Sequence, residues 1–232
     1  MNRLQRRRFL ALLIALLLLI AVYPLLQSVY AERLLLDALL TVVFVTALFA
    51  VFTKPSLRVA ALLLGIPALL GVWTRYVLPG AALPSVAAGL HLLAATFLGF
   101  CVATILRAAY NEATISADSV YGALCGYLLI GLAFGHVYCI LELLAPGSFL
   151  GNEAFKTQVQ SEEWRRFQLT YFSFMTLTTV GYGDITPGSD AANGLAVVEA
   201  VVGQFYIAVL VAELIGKRVS QVISGGPPGP AG

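Results

Sequence analysis

The stretch Thr178-Thr179-Val180-Gly181-Tyr182-Gly183-Asp184 decides how the fold of this chain is interpreted. It comes after an apolar run, residues 167–178, that is too short to cross a bilayer as a helix. A long apolar block, residues 193–216, follows it. Its two glycines, two residues apart, allow backbone conformations that other residues adopt only with strain. The sequence therefore predicts a re-entrant half-helix that leads into extended backbone inside a membrane.

The composition of the whole chain supports a membrane location. Of the 232 residues, 59% are hydrophobic and 11% are charged, whereas ordinary soluble domains have about 25% charged residues. Six apolar blocks are long enough to span a bilayer: residues 9–26, 34–52, 57–78, 85–106, 119–144 and 193–216. These features exclude a soluble enzyme and a disordered chain, and the net charge of +2 gives no indication of nucleic-acid binding. We expect an all-α membrane protein with six transmembrane helices.

The distribution of positive charge predicts the orientation in the membrane. If the basic N-terminus, residues 1–8, is inside, nine Lys and Arg residues face the cytoplasm and five face outward. This asymmetry agrees with the positive-inside rule, so we expect both termini to be cytoplasmic in a cell inner or plasma membrane. A cleaved signal is the alternative for the first block, because Arg6-Arg7-Arg8 precedes a leucine run. The length of that run favours a retained helix.

The backbone of residues 179–183 is suited to binding a dehydrated cation. If successive residues alternate between right-handed and left-handed backbone conformations, their carbonyl groups can all point to one side. Four such strands around an axis then form stacked rings of oxygen atoms. The Thr179 hydroxyl can add the innermost ring. Non-helical backbone is tolerated at membrane depth when it is buried in protein or lines a watery path, and this arrangement satisfies that condition.

These residues resemble the selectivity filter of the pore-loop potassium channels. That filter has the motif seen in Thr179-Val180-Gly181-Tyr182-Gly183, and Asp184 matches the usual next residue. The resemblance covers residues 119–218. It implies a pore domain with the following parts: an outer helix at 119–144, a pore helix at 167–178, the filter at 179–183 and an inner helix at 193–216.

The resemblance implies a potassium-selective channel, a homotetramer in membrane lipid in which each chain supplies one filter strand. K⁺ ions would bind the carbonyls of Thr179, Val180, Gly181 and Tyr182, without an organic cofactor or enzymatic activity. We expect residues 219–232 to form a flexible tail and no soluble ligand domain. The alternative is a non-conducting or regulatory membrane subunit that retains the motif. A weaker one is a redox or metal enzyme using His136, Cys139 and Glu142, although hydrogen bonding between helices is preferred for His136.

The resemblance also implies residues that support the filter, namely Tyr171, Phe172, Thr178 and Asp184. Tyr171 and Phe172 lie where the family places an aromatic cuff around the filter tyrosine, here Tyr182. The alternative is that both rings face lipid or the protein core. Tyr171 could donate a hydrogen bond to Asp184. Some family members have a glutamate in the half-helix that pairs with this aspartate, but Met175 occupies that position here.

Candidates for gating lie on the inner helix: Gly203, Ala208, Ala212 and Glu213. Gly203 is either a hinge or a packing glycine. The two alanines have the spacing that lets helices cross closely. Glu213 could belong to a ring of four carboxylates at the inner mouth, or it could pair with Lys217 or Arg218. Glu199 could face either neighbouring helices or the cavity.

The four blocks before the pore domain, within residues 9–106, resemble the sensor domain of voltage-gated potassium channels. Such a sensor needs repeated arginines, because each charge that moves contributes about 2.3 kcal/mol per 100 mV. The fourth block has only His91 and, where the cytoplasmic linker 107–118 begins, Arg107. We therefore expect no steep voltage dependence. Asp37 is expected to pair with Arg33 or Arg75 near the outer surface, or to be a solvated interfacial carboxylate.

Overall fold

Helices dominate the computed structural model, which describes residues 8–22, 32–51, 55–77, 84–111, 116–151 and 162–224. The described helices are α1 (Arg8–Val22), α2 (Glu32–Val51), α3 (Pro55–Val77), α4 (Pro84–Asn111), α5 (Ala117–Leu144), α6 (Glu162–Leu177) and α7 (Asp190–Ser224). Two short strands, β1 (Phe149–Gly151) and β2 (Ile185–Pro187), form an antiparallel pair.

Four of these helices are long and apolar enough to cross a bilayer. The spans are Leu57–Thr74, Pro84–Ala108, Ala117–Leu144 and Asp190–Lys217. The apolar parts of α1 and α2, Phe9–Val22 and Leu34–Ala50, are shorter. With a rise of about 1.5 Å per residue, the 15 residues of α1 fall short of the roughly 30 Å hydrocarbon core. The chain is thus a multi-pass membrane protein, and the described residues supply four of the six predicted spans.

The helix ends differ from the predicted ends where polar residues continue a helix. Helix α6 begins at Glu162, five residues before the predicted start, and ends at Leu177. Helix α7 runs to Ser224, so its last residues overlap the predicted tail. Helix α4 continues to Asn111 and overlaps the predicted linker, of which residues 112–115 lie outside the described part. Most of the basic N-terminus, residues 1–7, also lies outside it.

Helix α5 is the element on which α1, α4, α6 and α7 pack. Its first turn is closed by a capping box, in which the Ser116 hydroxyl accepts from the Ser119 amide at 3.1 Å. Helix α1 contacts it through Phe9, whose carbonyl accepts from the Cys125 thiol at 3.3 Å. Helix α7 contacts it through Tyr206, whose hydroxyl donates to the Ala123 carbonyl at 2.5 Å. The peripheral helices and the pore domain therefore share one apolar core.

Helix α4 lies along α5, and one polar contact crosses this interface. The Nδ1 atoms of His91 and His136 are 2.7 Å apart. The prediction of interhelical hydrogen bonding for His136 is confirmed. No group of His, Cys, Asp and Glu within the described residues could hold a metal ion.

The strand pair fixes the chain on both sides of α6. Phe149 lies opposite Pro187, and Gly151 lies opposite Ile185. Glu142, at the end of α5, accepts hydrogen bonds from the amides of Gly147 at 2.9 Å and Phe149 at 3.2 Å. This carboxylate closes the turn between α5 and β1. The two strands thereby hold the segment that follows residue 184 against the end of the outer helix.

Candidate functional site

The candidate filter, residues 179–183, starts where α6 ends. The amide of Thr178 donates to the Phe174 carbonyl at 3.0 Å, and the amide of Thr179 donates to the Thr176 carbonyl at 3.0 Å. The amide of Gly181 reaches back to the Met175 carbonyl at 3.1 Å. The last turn of α6 therefore holds the first half of the candidate filter. Because a helix C-terminus has a partial negative charge, a cation is favoured near this end.

The backbone of the candidate filter alternates in hand. Thr179, Gly181 and Gly183 have φ angles of +59°, +52° and +76°. Neither Val180 nor Tyr182, the residues between them, has a positive φ. Among the described residues Thr179 is the one non-glycine residue with a positive φ, a conformation that costs roughly 1–2 kcal/mol for an L-residue. The alternation predicted from the glycine spacing is thus present, and it can turn successive carbonyl groups toward one side.

The residues of the candidate filter are exposed on the surface of the single chain. Tyr182 is 72% exposed and Val180 is 49% exposed, although both belong to a segment that follows a well-packed helix. The neighbouring Thr178 and Asp184 are exposed as well. One chain supplies one strand of backbone, so it cannot surround an ion with carbonyl groups by itself.

The two aromatic residues predicted to brace Tyr182 lie on different sides of α6. Tyr171 faces the candidate filter, since its phenol interacts electrostatically with the Asp184 carboxylate and with Tyr182. Phe172 is buried, with its ring centroid 5.2 Å from that of Tyr138 and 5.3 Å from that of Phe149. Tyr171 thus lies near Asp184, as expected, whereas Phe172 packs in the core within its own chain.

A contact behind the candidate filter was not foreseen from the sequence. The Tyr127 hydroxyl of α5 donates to the carbonyl of Leu177, the last residue of α6, at 3.0 Å. From the other side, a Cβ atom at Gly203 would lie only 2.5 Å from the same carbonyl oxygen. Gly203 therefore lets α7 approach the end of α6, as the packing alternative predicts. A tyrosine in a long apolar block gives no sequence signal of such a partner.

The other gating candidates lie in the second half of α7. Ala208 and Ala212 are exposed within one chain, so they are available for contact with another helix. The Glu213 carboxylate lies 2.9 Å from the ammonium group of Lys217, one helical turn further on. Of the interpretations weighed for Glu213, pairing with Lys217 is the one that the structure contains.

Two buried carboxyl groups have partners that the sequence did not indicate. Glu199 of α7 is fully buried and contacts Tyr138 of α5 and Ser173 of α6. Asp37 of α2 is also fully buried, and its carboxylate pairs with the Arg166 guanidinium of α6 at 3.3 Å. Of the alternatives weighed for Asp37, solvation was wrong, because the carboxylate is buried beside Arg166. The side chains of Arg33 and Arg75, the partners expected instead, lie outside the described part of the structure.

The sequence of this chain is similar to a known protein family and to two curated proteins. Residues 123–219 match a family model described as an ion channel. The chain is 32% identical over 129 residues to Protein LctB of Bacillus caldotenax, in an alignment covering 51% of this chain and 92% of that protein. It is 30% identical over 131 residues to Protein LctB of Geobacillus stearothermophilus, again covering 51% and 92%. No solved structure matches the chain.

Proposed function

The chain belongs to the pore-loop ion channel family, and on that premise we propose that it is a potassium-selective channel. Four chains would surround one axis, and each would contribute residues 179–183 to a common filter. K⁺ would cross passively, down its electrochemical gradient, while the backbone carbonyls replace its hydration shell.

The observation that supports this proposal most strongly is the alternation of backbone hand at Thr179, Gly181 and Gly183. It occurs at the end of a half-helix that does not span the membrane and before a long apolar helix, α7. A glycine-rich surface turn needs no such regular alternation. A strand that presents several carbonyl groups to one side does need it.

Each residue of the site has a role under this proposal. The carbonyls of Thr179, Val180, Gly181 and Tyr182 bind K⁺, with the Thr179 hydroxyl as the innermost ligand, and Gly183 ends the strand. The four residues expected to support the filter are Thr178, Tyr171, Phe172 and Asp184. Through its interaction with Tyr171, Asp184 connects the outer end of the strand to α6.

The proposed channel has six membrane helices, with both termini in the cytoplasm of a cell inner or plasma membrane. The described part of α4 contains a single arginine, Arg107, near its C-terminus. A steep response to voltage requires several charges that move, each contributing about 2.3 kcal/mol per 100 mV. Conductance should therefore change only weakly with voltage. The inner mouth would lie near Ala208, Ala212 and Glu213.

Ion flux from reconstituted liposomes tests the proposal. The purified full-length protein is placed in liposomes loaded with K⁺ or with Na⁺, and efflux is followed after dilution into the opposite cation. Rapid K⁺ efflux with little Na⁺ efflux is the expected result. Equal efflux of both ions contradicts potassium selectivity, and absence of any flux favours the non-conducting subunit that retains the motif.

A further inference from the structure

Glu199 occupies the point where three helices of the pore domain meet. It lies on α7 and is fully buried. The Tyr138 hydroxyl of α5 donates to its Oε2 at 2.5 Å, and its Oε1 contacts the Ser173 hydroxyl of α6. Ser173 lies one turn before Leu177, the last residue of α6. A polar group in this place affects how α7 holds the helix behind the filter.

The number of protons that this hydrogen-bond network needs indicates whether Glu199 is protonated. Three pairs of oxygen atoms lie within hydrogen-bonding distance: Tyr138 with Glu199, Ser173 with Glu199, and Ser173 with the Gly131 carbonyl at 2.7 Å. A tyrosine and a serine hydroxyl supply one proton each, and a backbone carbonyl supplies none. One proton is missing if Glu199 is a carboxylate. A carboxylic acid supplies it by donating to Ser173, whose own proton then goes to Gly131.

The groups around Glu199 also favour the protonated carboxylic acid. The titratable groups that face it are the phenols of Tyr138 and Tyr127 on α5, both neutral, and α6 contributes the Ser173 hydroxyl. Among the residues that the structure describes, no Lys, Arg or His forms an ion pair with Glu199. An isolated buried charge is so costly that the group takes up a proton instead.

We propose that Glu199 is a neutral carboxylic acid whose proton is donated to Ser173, and that this bond fixes the inner helix α7 to the pore helix α6. Glu199 is a positioning residue, because it acts on the candidate filter through α6 and does not contact the ion. The protonation state is independent of what the protein conducts, whereas the effect on conduction rests on the proposed function.

Infrared spectroscopy of the full-length protein in lipid at neutral pH tests the protonation state. The difference spectrum between the wild type and Glu199→Gln should contain the carbonyl stretch of one protonated carboxylic acid, which shifts in D₂O. Glu213→Gln is the matched control, since Glu213 is half-buried and paired with Lys217, and it should leave that band unchanged. If the Glu199→Gln difference contains only carboxylate bands, the proposal is overturned, whatever the flux measurements show.

Potassium flux then tests the positioning role. In Glu199→Gln the amide oxygen can accept from Tyr138 and the NH₂ group can donate to Ser173, so the flux should stay within about twofold of wild type. Glu199→Leu removes both bonds between α7 and its neighbours and takes away the acceptor of the buried Tyr138 hydroxyl, so the flux should fall by at least about tenfold. Equal loss in both variants would show that a charged Glu199 is needed and would refute the proposal. If the wild type itself has no flux while the infrared band is present, the channel function fails and the protonation state stands.

Discussion

At the scale of single residues, three φ angles decide what the candidate filter can do. Gly181 and Gly183 adopt a left-handed backbone without steric cost, but Thr179 adopts it although it has a Cβ atom. The surrounding contacts must hold Thr179 in this conformation. One of them is the hydrogen bond that its amide donates to the Thr176 carbonyl at 3.0 Å. A strained residue at a site that also needs an inward hydroxyl is consistent with a functional constraint.

Replacing Gly181 with alanine should abolish selective K⁺ flux without preventing assembly. Apart from the chain neighbours of Gly181, no atom of the described residues lies within 4 Å of a Cβ at this position, so the penalty is backbone strain of roughly 1–2 kcal/mol in each chain. The strand relieves that strain by rotating a peptide group, which moves a carbonyl out of its ring. The liposome assay measures the flux, and size-exclusion chromatography measures assembly.

The matched control for that experiment is Gly194→Ala on α7. A Cβ there also has no neighbour within 4 Å, but its backbone is helical, so alanine is tolerated or slightly stabilising. If both variants conduct K⁺ as the wild type does, the left-handed conformation of Gly181 is not required for conduction.

Gly203 should behave as a packing residue. A Cβ at this position would lie 2.5 Å from the Leu177 carbonyl oxygen and 2.9 Å from its Cδ1. We expect Gly203→Ala to destabilise the protein by about 1–3 kcal/mol, as overpacked cores are, and to lower its thermal midpoint in detergent. Gly216→Ala, where nothing lies within 4 Å, is the control. Unchanged stability combined with reduced opening would instead indicate a hinge.

At the scale of helices and strands, the apolar pattern predicts the elements well and their partners poorly. The outer helix was predicted at 119–144, and α5 spans Ala117–Leu144, because the Ser116 capping box adds two residues that hydropathy does not detect. The start of α6 was missed because Trp164, Arg165 and Arg166 are helical but not part of an apolar run. Hydropathy detects apolar runs, whereas helix ends depend on local hydrogen bonds.

Tertiary partners were unpredictable where they are distant in sequence. Arg166 and Asp37 are 129 residues apart, and no periodicity relates an arginine in α6 to an aspartate in α2. Glu199 was expected to face either neighbouring helices or the cavity, but neither Tyr138 nor Ser173 could be identified as its partner. The backbone conformation of the candidate filter was predictable because it depends on five consecutive residues, 179–183.

The ion pair between Asp37 and Arg166 should couple the peripheral helices to the pore helix. A double-mutant cycle with Asp37→Asn and Arg166→Gln measures this coupling as a difference in unfolding free energy. We expect about 0.5–3 kcal/mol, because the carboxylate is fully buried and the arginine is 17% exposed.

The pair Glu213 and Lys217 is the matched control for this cycle. It lies within one helix and its side chains are 30% and 18% exposed, so its coupling should be only about 0.3–0.5 kcal/mol. Equal coupling energies in the two cycles would show that the ion pair between Asp37 and Arg166 is no stronger than a partly exposed pair within one helix.

At the scale of the whole molecule, one chain leaves much apolar surface uncovered. Phe205 of α7 is 68% exposed, Val197 is 64% exposed, and Tyr182 of the candidate filter is 72% exposed. Helix α5, in contrast, is largely buried within the same chain. Lipid can cover the outer face of α7, but lipid cannot satisfy the backbone of residues 179–183. In the proposed assembly of four chains, neighbouring copies would cover α7, and the carbonyl groups of residues 179–183 would line a path filled by cations.

Mixing wild-type and Gly181→Ala chains should reveal how many chains form one filter. If four strands share each ring of carbonyls, a single altered strand disrupts the ring, so K⁺ flux should fall as the fourth power of the wild-type fraction. The two chains are co-expressed with different affinity tags at several ratios, and the assemblies are reconstituted together. The ratio in the purified protein is measured by mass spectrometry. Native mass spectrometry should give four times the 24.7 kDa mass of one chain. A linear fall in flux would mean that each chain conducts alone, and a second-power fall would mean a pore made by two.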